Sequence, residues 1–251
     1  MRASAIEFRL RMLINLSIIL LGFWAPWVER GHPMSGFGAP ISLLEWLALH
    51  LTRAGVVSFA VGAPLVLAIA AAIAGVGAVL RIWGTAYLGP ATVHHLDMKS
   101  GVLATGGPYR FVRNPLYLGL WCMVAAMSFL MPPSGALVAM VLITVFQLRL
   151  ILGEEAFLGV RLGEPYLAYR RAVPRLIPRF RGAPPAAGQK PQWLRSVLSE
   201  LTPLGVFVAL AFCSWTYDNR LMIRAILIAF GLSLVTRALM LESKAAEPKQ
   251  A

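Results

Sequence analysis

Arg110, Arg113 and an Asn114-Pro115 pair stand immediately before an apolar run in GPYRFVRNPLYLGLW, residues 107 to 121. Asparagine favours the N-cap and proline the first helical position, so a helix should start here with its orphan N–H groups and positive dipole end turned to the basic loop. Such an end, flanked by two guanidiniums, can hold an anion. A second stretch, LGEEAFLGVRLGEPYLAYRRAVPRLIP, residues 152 to 178, sets Glu154 and Glu155 side by side where another apolar run ends. The chain has only 11 acidic residues, so two adjacent ones at a membrane boundary call for a cation or for hydrogen-bonding partners. Arg149 and Arg161 are near enough in sequence to serve. Pro165 suits the start of a short helix on which Tyr166, Tyr169 and Arg170 share a face, and Pro174 ends it. Plainer roles fit the same residues: Arg110 and Arg113 as headgroup anchors, the glutamates as structural partners, the short helix as an interfacial one.

The elements that must position these residues are membrane helices. The chain is 251 residues long, 58% hydrophobic and 14% charged, with mean hydropathy +0.70, outside the range of a soluble domain. A ruler of ~20 apolar residues per helix places six spans near 10–28, 55–80, 115–131, 134–151, 197–215 and 221–241. Residues 41 to 53, ISLLEWLALHLTR, suit a short interfacial helix. Met131, Pro132, Pro133 and Ser134 leave room only for a tight antiparallel hairpin between the third and fourth spans. Small residues from Ala54 to Ala78 allow close helix packing in the second. Cys122 and Cys213 lie in apolar runs and read as small hydrophobes; no metal site is expected.

The net charge of +12 belongs to topology, with no nucleic-acid partner implied. With the N-terminus inside, three Lys or Arg precede the first span, four lie between the second and third, nine run from Arg149 to Arg195, and three are C-terminal. Only Arg30, Arg53, Arg220 and Arg224 fall outside. Both termini and the stretch 152–196 are therefore expected in the cytoplasm of a multi-pass protein, taken here as one of a bacterial inner membrane. Residues 181 to 192, RGAPPAAGQKPQ, read as a linker to a terminal helical pair.

In their order, TGGPYRFVRNPLYLG, a hairpin, EE and GEPYLAYRRAVPRLIP resemble the isoprenylcysteine carboxyl methyltransferase family and its phospholipid methyltransferase relatives, over residues ~80 to 180. The resemblance implies an all-α, polytopic bundle that uses S-adenosylmethionine, held in a cytoplasmic pocket closed by a short helical segment after the hairpin. A lipid-like substrate would enter from the bilayer. It implies that Gly107, Pro108, Tyr109, Asn114, Pro115, Tyr117 and Glu154 bind the cofactor, and that Arg113 and Glu155 serve the reaction. Asn114 departs from the family's eukaryotic pattern, which has histidine there; an amide can still donate and accept hydrogen bonds. The chain then divides into N-terminal helices (1–80), a methyltransferase core (81–180), a linker (181–196) and a C-terminal helical pair (197–251).

Methyl transfer from a sulfonium is an in-line displacement that needs alignment and exclusion of water more than acid–base groups, and few such groups are present. A carboxylate acceptor, oriented by Arg113, is favoured because it is nucleophilic at neutral pH, whereas an amine is mostly protonated. A phospholipid amine is the alternative. A nicotinamide-dependent membrane reductase and a non-catalytic scaffold or transporter are the rivals from other classes. Gly36-Phe37-Gly38 and Gly75-Val76-Gly77 lack the setting of a dinucleotide-binding turn, and the loop histidines His94 and His95 are given no role.

Overall fold

The structure, a computed structural model, describes residues 3–24, 41–89, 103–185, 188–216 and 219–245. Residues 25–28 at the end of the expected first span, the Gly36-Phe37-Gly38 stretch, and His94 and His95 lie outside these. The described residues are all-α. In chain order the helices are α1 (Ala5–Arg9), α2 (Arg11–Trp24), α3 (Leu43–Arg53), α4 (Phe59–Leu88), α5 (Pro115–Ser128), α6 (Pro133–Leu162), α7 (Glu164–Ala172), α8 (Trp193–Ser199), α9 (Leu201–Thr216) and α10 (Asn219–Ala245). A single 3-10 turn spans Gly107–Arg110.

Two of these helices, α4 and α6, are long and apolar enough to cross a membrane, and the bent pair α8–α9 makes a third if taken as one span. The described parts of α2 and α5 are 14 residues each. At 1.5 Å per residue they reach about 21 Å, short of a ~30 Å hydrocarbon core. Among the described residues, length and composition thus give two to three candidate membrane spans, against the six expected.

The centre of the bundle is α4. Its Ala63, Val66, Leu67, Ala71, Ala74 and Ala78 are buried against Leu44 and Ala48 of α3, Met123 and Ala126 of α5, and Val206, Ala209 and Leu210 of α9. A second core joins Phe8 and Ile18 to Val124 of α5 and to Ala136, Ala139, Ile143, Phe146 and Leu150 of α6. Small residues set the spacing. A Cβ on Gly77 would lie 2.8 Å from the Gly119 carbonyl oxygen, so α4 and α5 touch backbone to backbone. The expected hairpin forms between α5 and α6, and its turn is tied down by α3: the Leu43 N–H donates to Met131 O at 2.7 Å and Leu44 N–H to Phe129 O at 2.8 Å. Ser42 and Glu45 complete a capping box at the same helix start.

Two expected boundaries are corrected. The fourth apolar helix does not stop at residue 151 but continues to Leu162, because nothing before Gly163, at φ +61°, breaks it. Glu154 and Glu155 are therefore in the helix, not after it. The fifth expected span, 197–215, is broken at Glu200, with α8 and α9 inclined at 69°. Pro203 has no N–H for the Ser199 carbonyl and its ring clashes with a straight continuation.

Candidate active site

The loop before α5 is shaped by two glycines pressed on one ring. A Cβ on Gly106 would fall 2.8 Å from Tyr87 Cδ1, and one on Gly107 would overlap the same ring. Gly107 also holds φ +53°, which a side chain would strain. Pro108 and Tyr109 follow, both buried, and lead into Arg113 and Asn114. α5 then begins at Pro115 as expected, with Leu118 N–H donating to Asn114 O at 3.1 Å. The Asn114 side chain, however, makes no cap hydrogen bond. Its amide donates instead to Glu155 Oε1 at 3.4 Å and to Arg175 O at 3.1 Å.

The chain after α7 lies along this loop. Arg113 N–H donates to Pro174 O at 2.9 Å and Arg179 N–H to Phe111 O at 3.0 Å, an extended pairing that fixes the segment 173–179. Further along, Arg110 Nε donates to Pro184 O at 2.7 Å, and Gln189 Oε1 accepts from Gly106 N–H at 3.3 Å. From α7, Tyr166 is buried and Tyr169 donates its hydroxyl to Tyr109 O at 2.8 Å. Arg170 lies one turn after Tyr166 on the same helix. Its side chain is exposed, while its carbonyl accepts from Arg113 Nη1 at 2.6 Å.

Glu155 is the hub. Only 4% exposed, it accepts from Arg113 Nη2 at 3.1 Å and from Arg175 Nη2 at 2.8 Å and Nε at 3.1 Å. Two guanidiniums on one carboxylate leave a local surplus of one positive charge. The Arg113 side chain is 8% exposed, the Arg175 side chain 41%, so Arg175 is the one that meets solvent. Its hydrogen bonds to Glu155 raise its already high pKa. Glu154, one residue earlier, accepts the Tyr117 hydroxyl at 2.9 Å, with the Arg11 charge also acting on it.

Burial, then the charge of Glu155, pushes the Tyr166 hydroxyl up to about 12. Burial chiefly raises Tyr169, and it also raises Tyr109, with Glu154 second. All three are hydrogen-bond donors at neutral pH, not bases.

Every expected site residue is thus drawn together around the α5 N-terminus and the end of α6. The expected local partners of the acids are not: Arg149 pairs with Glu7 at 2.9 Å, and the Arg161 guanidinium lies 5.8 Å from the Phe157 ring centroid. The partner that sequence reasoning missed is Arg175. It lies in the quoted VPRLIP stretch, but nothing in local spacing separates it from Arg170, Arg171 or Arg179. Tyr87, an aromatic at the end of an apolar helix, carried no signal of its seat under Gly106 and Gly107.

Two buried donors here have no acceptor, Tyr109 Oη and Arg113 Nε. Buried donors left without acceptors are where an anionic group of a ligand can be accepted. Among the described residues, no cluster of His, Cys, Asp and Glu fits a metal ion.

Acids, arginines and tyrosines thus gather at the N-terminus of α5 and the C-terminal end of α6, within an apolar helical bundle. Residues 65–164, from the second turn of α4 to the first residue of α7, match the phospholipid methyltransferase family model. Neither a curated protein nor a solved structure matches the chain.

Proposed function

We propose that this protein is a membrane methyltransferase that transfers a methyl group from S-adenosylmethionine to a carboxylate on a lipid-like acceptor. The observation that carries this reading is the surplus positive charge on Glu155, with the half-exposed Arg175 beside the orphaned Arg113 Nε. Bound here, the cofactor supplies an electrophilic methyl group. Tyr109, Tyr117 and Glu154 hold it, with Gly107, Pro108 and Pro115 shaping the floor and Asn114 tying that floor to the cap. Arg113 and Arg175 orient the acceptor carboxylate, and Glu155 holds both guanidiniums in place. The cap formed by α7 and residues 173–179 excludes water, so opposite charges that annihilate along the reaction path are not screened. No proton has to move, because a carboxylate is already the nucleophile at neutral pH.

In the same reading α2, α5 and α10 complete a six-span bundle by tilting little or by thinning the bilayer. Both termini and the cap face the cytoplasm of a bacterial inner membrane, in line with the bias of basic residues to that side. The division into helices 1–80, core 81–180, linker 181–196 and terminal pair 197–251 belongs to it too.

A second reading, methylation of a phospholipid amine, is favoured by the family match and by Glu154, which can attract a cationic headgroup. The experiment that separates the two incubates purified protein and methyl-labelled S-adenosylmethionine with lipid extracts. A carboxyl methyl ester releases the label as volatile methanol on mild base treatment; a base-stable label on a phospholipid amine overturns the carboxylate acceptor. Calorimetry with S-adenosylmethionine and, separately, NADPH tests the cofactor.

A further inference from the structure

Outside the site, an ion pair with a fully buried carboxylate joins the C-terminal helices to the core. Glu200 is 0% exposed, at the break between α8 and α9. It accepts Arg81 Nε at 2.7 Å, Arg81 Nη2 at 3.0 Å and the Thr85 hydroxyl at 2.9 Å. A carboxylate withdrawn from water keeps its charge only with such a full set of donors. Anchoring α8–α9 would need no arginine, since apolar packing along α4 already does that. The other end of Arg81 tells more. Its Nη1 reaches the Leu116 carbonyl at 3.4 Å, and its stem lies where a Cβ on Gly119 would be, 2.6 Å from Arg81 Cγ. Leu116 and Gly119 bracket the first turn of α5. That turn carries Tyr117, bonded to Glu154, and follows directly on Asn114, bonded to Glu155.

We infer that Glu200 is a positioning residue for this site: it aims Arg81 as a brace under the first turn of α5, which sets Tyr117 and Asn114 against the two glutamates. The inference rests on the reading of those contacts as the reactive site, and extends it beyond the family-matched residues into the C-terminal pair. Glu200 touches no reacting atom. Without its charge, the guanidinium loses the fork that fixes its direction, and the turn it supports is free to rock by fractions of an ångström, enough to misalign a displacement.

The test replaces the pair by apolar groups of similar bulk, Arg81→Met with Glu200→Leu, a change that buried pairs often tolerate in stability. The full chain in detergent is followed by amide exchange and by S-adenosylmethionine binding. The expected result is exchange at Leu118 to Leu120 at least ~10-fold faster than in the parent, with residues 140–146 of α6 unchanged. The cofactor Kd should rise ~10-fold in the same variant. Should the double variant fail to fold, Glu200→Gln, which keeps the shape and an oxygen for Thr85, is read by the same two measurements. Parent-like exchange and Kd overturn the inference, and so does faster exchange spread evenly over α5 and α6, the mark of a pair that only stabilises. A parent that does not bind S-adenosylmethionine refutes the cofactor reading, while the exchange pattern still decides the role of Glu200.

Discussion

Arg113 gives up almost all of its fork to the protein itself, one nitrogen to Glu155 and one to the Arg170 carbonyl. An ammonium cannot make both contacts, so Arg113→Lys should lower kcat/KM at least ~100-fold although the charge is kept. Labelled-methyl transfer measures this. The two glutamates should differ. Glu154→Gln removes a charge-assisted hydrogen bond and should weaken cofactor binding by ~1.5 kcal/mol, read by calorimetry. Glu155→Gln leaves two guanidiniums against a neutral amide and should cost ~3 kcal/mol of folding stability as well. Equal effects from the two would mean that Glu155 is no hub. The Asn114-Pro115 start and the adjacent acids were legible in the sequence from local rules, and Gly107 only through the family resemblance. Which arginine answers Glu155 was not, since Arg175 is twenty residues away and reaches it only after the chain folds back along 111–113.

At the level of the helices, contact distance between backbones decides what can change. Gly119→Ala would place a methyl group against Arg81 Cγ and 2.9 Å from the Gly77 carbonyl oxygen. It should destabilise the bundle by about 1–3 kcal/mol, visible as a lowered thermal unfolding midpoint in detergent. The short N-terminal helix is held differently, by its Ser4–Glu7 capping box and the Glu7–Arg149 pair. The Ser4 backbone N–H first, then Arg149, lower the Glu7 carboxyl to about 2 from an ordinary value of 4.5. A depressed folded value stabilises above the unfolded one, so this help is complete above pH ~5 and fades as pH falls towards 2. The difference in unfolding midpoint between the parent and Glu7→Gln should therefore be constant from pH 6 to 7 and shrink on acidification. Helix existence was readable from apolar runs, but helix ends were not. The extension of α6 past Glu155 and the break at Glu200 both depend on what lies across the bundle, which hydropathy does not report.

For the molecule as a whole, the helical class was readable from the apolar runs and the closing segment after the hairpin was implied by the family resemblance, while the span count was not readable, because 14-residue helices blur the length rule. Topology is the prediction proper to this scale: reporter fusions after Lys190 and within Met131 to Ser134 should report opposite sides of the membrane, and matching reports would remove the cytoplasmic placement of the cap. The tie between α3 and the hairpin turn also bears on biosynthesis. The acceptors for Leu43 and Leu44 are the carbonyls of Met131 and Phe129, almost ninety residues downstream. At ~5–20 residues per second, a ribosome takes roughly 4–18 s to deliver them. During that interval α3 has no turn to dock on and only α4 to pack against. The start of α3 thus waits for the hairpin, and a chain truncated before Phe129 should show faster amide exchange at Leu43 and Leu44 than the parent.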